Sequence, residues 1–154
     1  MKTERKPSFA TPSSQLFAKY KNTKTNPEEL KKLIKEDRKF QVHQNALTYY
    51  MRAYALGEQV LDEELVALLN SKGVNPNAFV DDKMALMWLF SKPFNAEDAE
   101  KIFHVATILK QAGTAMEAKV LGAEDTAYDL ASRNGCSEEI LNLIRPHYYS
   151  IKNT

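Results

Sequence analysis

The amino-acid sequence predicts an all-α fold, an α-solenoid of stacked antiparallel helix pairs. Three observations lead there. Five glycines and six prolines in 154 residues are too few for the tight turns of an all-β chain. An apolar triplet with spacing i, i+3, i+4 recurs as Leu30/Leu33/Ile34, Leu65/Leu68/Leu69, Val105/Ile108/Leu109 and Ile140/Leu143/Ile144, its first members 35, 40 and 35 residues apart. A second, shorter apolar segment recurs between the triplets, at Asn45–Met51, Met84–Phe90 and Thr126–Ala131. Each triplet makes a single stripe on one helix. Neither kind of helix buries its apolar face alone, and stacking neighbouring pairs solves that problem.

Taken in order, the pattern predicts helices over 28–37, 45–55, 62–72, 84–91, 97–112, 126–134 and 137–145. The triplet helices open on acidic residues: Pro27-Glu28-Glu29, Asp62-Glu63-Glu64, Glu97-Asp98-Ala99-Glu100 and Ser137-Glu138-Glu139. Carboxylates there meet the positive end of the helix dipole, and Asp62 or Ser137 supplies a cap. Gly73 and Gly113 follow their triplets by four residues, where a left-handed C-terminal cap belongs. Leu68, in the middle of its triplet, is expected between neighbouring helices and therefore buried. The seven-residue run Met84–Phe90, with Trp88, reads as an inner core helix, and Tyr148-Tyr149 as a cover for the open end of the last pair.

The last unit runs Asp125-Thr126-Ala127-Tyr128-Asp129-Leu130-Ala131-Ser132-Arg133-Asn134-Gly135-Cys136, then Glu139-Ile140-Leu141-Asn142-Leu143-Ile144. It resembles the first helix, inter-helix glycine and second helix of the ankyrin repeat. Leu65-Val66-Ala67-Leu68-Leu69-Asn70-Ser71-Lys72-Gly73-Val74-Asn75-Pro76-Asn77-Ala78 is similar to that family's second helix and the turn after it. The resemblance spans residues 27–145. The family period is about 33 residues, and the surplus here falls at Leu56–Leu61 and Lys92–Glu97. Ala46, Ala85 and Ala127 stand where the family usually has proline. A generic α-solenoid or an irregular helical bundle is the alternative arrangement of the same helices.

The net charge of +1 conceals a split. Residues 1–24 carry Lys2, Arg5, Lys6, Lys19, Lys21 and Lys24 against Glu4, which is +5 and leaves −4 for the rest. Two domains of behaviour follow: a basic, partly disordered leader over 1–24 and a helical repeat domain over 25–154. A basic tail also suits nucleic acid or an anionic surface. No apolar run reaches the eighteen or so residues of a membrane span, and no apolar core follows the basic N-terminus as in a signal peptide. Cys136 is alone, which fits a reducing compartment, so a cytoplasmic location is expected, including delivery to a host cell as a bacterial effector.

Nothing in the sequence spells out an enzyme, a cofactor or a metal site. His43, His104 and His147 are far apart, Cys136 has no second cysteine for a zinc site, and no phosphate-binding loop, nucleophile elbow or HExxH occurs. A reactive thiol at Cys136 is the sharper reading against a structural one. The resemblance instead implies a non-enzymatic protein-interaction module, an adaptor, inhibitor or effector holding a protein partner in a concave groove. Position by position, that groove takes Gln41, Val42 and Gln44, then a finger with Phe79, Val80, Asp81 and Lys83, then Gly122, Ala123 and Asp125. Arg52, Ser91, Lys92 and Arg133 fall at the helix ends. Phe79 and Val80, apolar in a polar turn, either anchor a partner or plug the neighbouring finger, with the anchor favoured.

Overall fold

A computed structural model describes residues 27–36 and 44–147. Helices dominate them: α1 (Pro27–Glu36), α2 (Ala46–Ala55), α3 (Glu63–Ser71), α4 (Ala85–Leu89), α5 (Ala99–Gln111), α6 (Ala127–Arg133) and α7 (Glu138–Ile144). Each lies within two residues of an expected helix, with one subdivision. The expected 97–112 helix begins as a 3-10 turn, Ala96–Asp98, before α5. Asn95 causes this, because its side chain caps the Glu97 N–H at 2.9 Å and starts the coil tightly. The expected 84–91 helix is shorter, at Ala85–Leu89.

The helix ends follow from local chemistry. Asp62 accepts from the N–H groups of Glu64 (2.9 Å) and Leu65 (3.1 Å), so α3 is capped by a side chain. Thr126 and Asp129 satisfy each other's backbone N–H at the start of α6. Gly73 and Gly113 take φ of +81° and +100° just beyond α3 and α5, a conformation that costs glycine little.

Among the described residues the regular strands are β1 (Phe79–Val80) and β2 (Lys83–Met84), paired antiparallel with Phe79 opposite Met84 and Val80 opposite Lys83. They lie where the finger was expected, and strands there were not expected. Asp81, at the tip, has φ of +60°, the left-handed conformation that a two-residue hairpin turn requires and that Asp tolerates.

Packing follows a regular order. α1 packs against α3, α3 against α5 and α5 against α7, while α2 packs against α4 and α4 against α6. Contacts also join α2 to α3, α4 to α5 and α6 to α7. A single apolar cluster runs through all seven helices, from Ile34 through Leu47, Leu65, Leu86 and Val105 to Ile144. Leu65 and Leu69 are fully buried, but Leu68 sits at the margin, partly buried against the cluster. The expectation of a buried Leu68 is corrected accordingly: the α3 stripe turns Leu65, Val66 and Leu69 inward, and Leu68 falls on its edge.

The surplus residues between paired helices are tied down. Tyr50, buried in α2, donates its hydroxyl to the Val60 carbonyl at 2.7 Å and accepts from the Asp62 N–H at 2.8 Å, pinning the loop after Leu56. Asn134 does the same for the loop at Lys92–Glu97. Its side chain donates to the Phe90 carbonyl at 2.8 Å, and its own carbonyl accepts from the Phe94 N–H at 2.9 Å. Buried backbone groups outside regular elements need such partners.

Candidate functional site

The hairpin places its base against α2 and α4. Thr48 on α2 donates to the Ala78 carbonyl at 2.9 Å, and the Trp88 indole on α4 donates to the Val80 carbonyl at 3.2 Å. Arg52, one turn after Thr48 on α2, reaches the tip, with Nε 2.8 Å from Asp81 Oδ2. Its guanidinium lies 5.8 Å from the Trp88 ring centroid, and Lys83 Nζ lies 4.6 Å from the same centroid and 3.3 Å from Asp82 Oδ1. Trp88 is thus a buried platform under two cations, each also held by a carboxylate of the tip. Four of the expected groove residues, Arg52, Val80, Asp81 and Lys83, meet around this one ring.

The second finger, residues 119–125, is not a paired strand but leans on the first. The Leu121 N–H donates to the Asp82 carbonyl at 3.0 Å, and the Val120 N–H to the Asp125 carbonyl at 2.8 Å. Asp125 pairs with Arg133 on α6 at 3.0 Å, and this bond and its charge raise the Arg133 pKa from its ordinary value. Gly122 and Ala123 are exposed at the tip. Leu121 beside them is 57% exposed, a large apolar side chain held in the open by backbone bonds.

The remaining expected residues separate. Ser91 donates to the Met87 carbonyl at 2.7 Å and so serves the end of its own helix. Lys92 Nζ lies 4.2 Å from the Tyr54 ring and 3.4 Å from the Tyr54 carbonyl. Tyr54 in turn donates to Asp98 at 3.2 Å. Its burial, with the Asp98 charge and this bond, pushes the phenol well above its ordinary value. Gln44 is exposed but structural: its side-chain amide donates to the Gly73 carbonyl at 3.2 Å and its backbone carbonyl accepts from the Asn75 N–H at 3.1 Å. Gln41 and Val42 lie outside the described residues, as do the basic residues 1–24, His43 and Tyr148-Tyr149.

The finger pair is less exposed than an anchor for a partner was expected to be. Val80 is buried, and Phe79 is half-buried and packed against the main cluster. Val80 is too buried for the exposed anchor that was favoured, and it is its backbone carbonyl that meets the Trp88 indole. Trp88 and Leu121 were missed. Trp88 read as core, which it is, but its cation-bearing edge depends on long-range neighbours. Leu121 had a local signal, an apolar residue immediately before Gly122 in a turn.

Cys136 is half-buried, and burial, set against a lowering bond from the Ser137 N–H, pushes its thiol up to about 11. At neutral pH it is protonated and a poor nucleophile. Among the described residues no group of three or more His, Cys, Asp or Glu is placed to hold a metal ion, and no helix is long and apolar enough to cross a membrane. The arrangement brings together an exposed apolar side chain, fixed charges of both signs and an aromatic ring with cations over it. No family model, curated protein or solved structure matches the chain.

Proposed function

We propose that the chain is a non-enzymatic protein-interaction module, an ankyrin-like stack of helix pairs that holds a protein partner along its two fingers. The observation that carries this reading is Leu121, exposed on a loop that hydrogen bonds and the Asp125–Arg133 pair tie down, its N–H bonded to the hairpin tip that Arg52 also holds. A preorganised apolar side chain ringed by polar groups is the form that contact hot spots take. The order of contacts also supports a stack, since each helix touches the next-but-one helix and α2, α4 and α6 also touch the helix that follows. Asn77 strengthens the likeness, bridging from one turn to the next at Gly113 and Ala115.

The test is affinity capture on the immobilised full chain, with mass spectrometry, followed by titration of the captured protein. Leu121→Asp should leave the melting temperature unchanged and weaken binding by about 2 kcal/mol or more. Unchanged affinity for that variant would sink the finger reading. Binding that instead collapses steeply between low and moderate salt, with Leu121→Asp behaving as wild type, would mark residues 1–24 as a phosphate-binding element.

A further inference from the structure

Away from the fingers, the starts of α1, α3, α5 and α7 lie side by side. Lys31 on α1 reaches Asp62 (3.2 Å) and Glu64 (2.7 Å) at the start of α3, and Glu63 of α3 pairs with His104 on α5. Between the first turns of α5 and α7 is a cleft of about 440 Å³. Its floor is Phe103, Ile140 and Ala99, and its rim is His104 and the exposed Glu100 and Glu139. A second cleft of about 260 Å³ lies between α1 and α3, lined by Glu28, Asp62, Glu64 and the exposed Val60. Lys101 borders it, and Lys31 is buried and already held by its carboxylates. The free charge of this edge is therefore negative.

We propose that this edge is a docking surface for a basic protein segment, whose apolar side chain enters the α5/α7 cleft while its Lys or Arg residues meet Glu100, Glu139 and the neighbouring carboxylates. The surface complements such a segment on both counts. The cleft has the volume of a small ligand pocket and an apolar floor that large side chains fill. Its rim carries acids at the spacing of successive helix starts, which favours cations and repels phosphate. A nucleic acid or an anionic membrane does not fit a rim of this sign. This surface is separate from the fingers, and its success or failure leaves the finger reading untouched.

The probe is a short fluorescein-labelled peptide of alternating arginine and leucine, titrated by anisotropy into the full chain. Two control peptides replace leucine by serine or arginine by glutamate. Saturable binding of the first is expected, with each control at least about tenfold weaker. The double variant Glu100→Gln/Glu139→Gln should fold like wild type, its melting temperature lowered only by the loss of two exposed helix-dipole contacts, and bind the first peptide about tenfold less well, the scale of two lost surface ion pairs. Backbone chemical-shift changes should centre on residues 99–104 and 137–140. Equal binding of the serine peptide, wild-type binding by the double variant, or shifts centred on residues 79–84 would each overturn the proposal.

Discussion

Leu69 and Leu68 are chemically identical neighbours with different fates, because one faces the cluster and the other its edge. Leu69→Ala should cost roughly 2–5 kcal/mol, the scale for emptying a buried leucine site, whereas Leu68→Ala should cost clearly less. Denaturant titration of the pair checks this, and a larger loss at Leu68 would contradict the packing. Cys136 makes a second prediction at this scale. Its folded pKa, about 11, lies above the unfolded thiol value, so the protonated thiol stabilises the folded state. That contribution is complete below the unfolded value and is lost as pH rises through about 11. Alkylation by iodoacetamide at neutral pH should accordingly be much slower than for a free thiol, accelerating only at strongly alkaline pH. Fast neutral labelling of the folded chain would restore the reactive-cysteine reading.

At the scale of the element, α3 shows how much one cap residue connects. Asp62 caps the helix, its carboxylate meets Lys31 from α1, and its N–H is held by Tyr50 from α2. Lys31 itself is 5% exposed. Burial opposes its charge, but the hydrogen bonds to Glu28, Glu64 and Asp62 outweigh that and hold its pKa above the ordinary lysine value. Asp62→Ala should therefore cost about 1–2 kcal/mol, the upper part of the range for a lost helix cap. A thermal melt unchanged by the substitution would show that water replaces the cap. Local reading of the sequence located this cap and the two glycine ends correctly, since capping involves residues within one turn of each other. It did not foresee the β1/β2 hairpin, because two-residue strands carry too few residues for any period to show.

For the whole molecule, the connections between successive turns matter most. Asn77 donates to the Gly113 carbonyl at 3.2 Å and accepts from the Ala115 N–H at 2.8 Å, joining segments 36 residues apart. Glu117 occupies the corresponding position after Gly113 and accepts from the His147 N–H at 3.3 Å. Asn77→Ala removes both bonds of its bridge and should cost about 1–3 kcal/mol. Because the loss lies between neighbouring units, amide exchange should rise in the turn around Gly113–Ala115 before it rises within α5. Exchange that rises first inside α5 would mean the bridge supports the helix rather than the junction.

Helix positions and the acidic starts were legible in the sequence by itself, because each depends on residues within a turn of one another on one helix. The site was legible only in part. Arg52, Asp81 and Lys83 were singled out, yet their convergence on Trp88 joins residues up to 36 apart, and no spacing in the chain encodes that distance. Only the tertiary structure decided that Val80 turns inward, that Leu68 lies at the margin and that Leu121 stays in the open. The physical reason is that exposure belongs to a side chain's neighbours in space. A local pattern determines which way a residue points along its own helix or turn, and packing alone determines what it meets there.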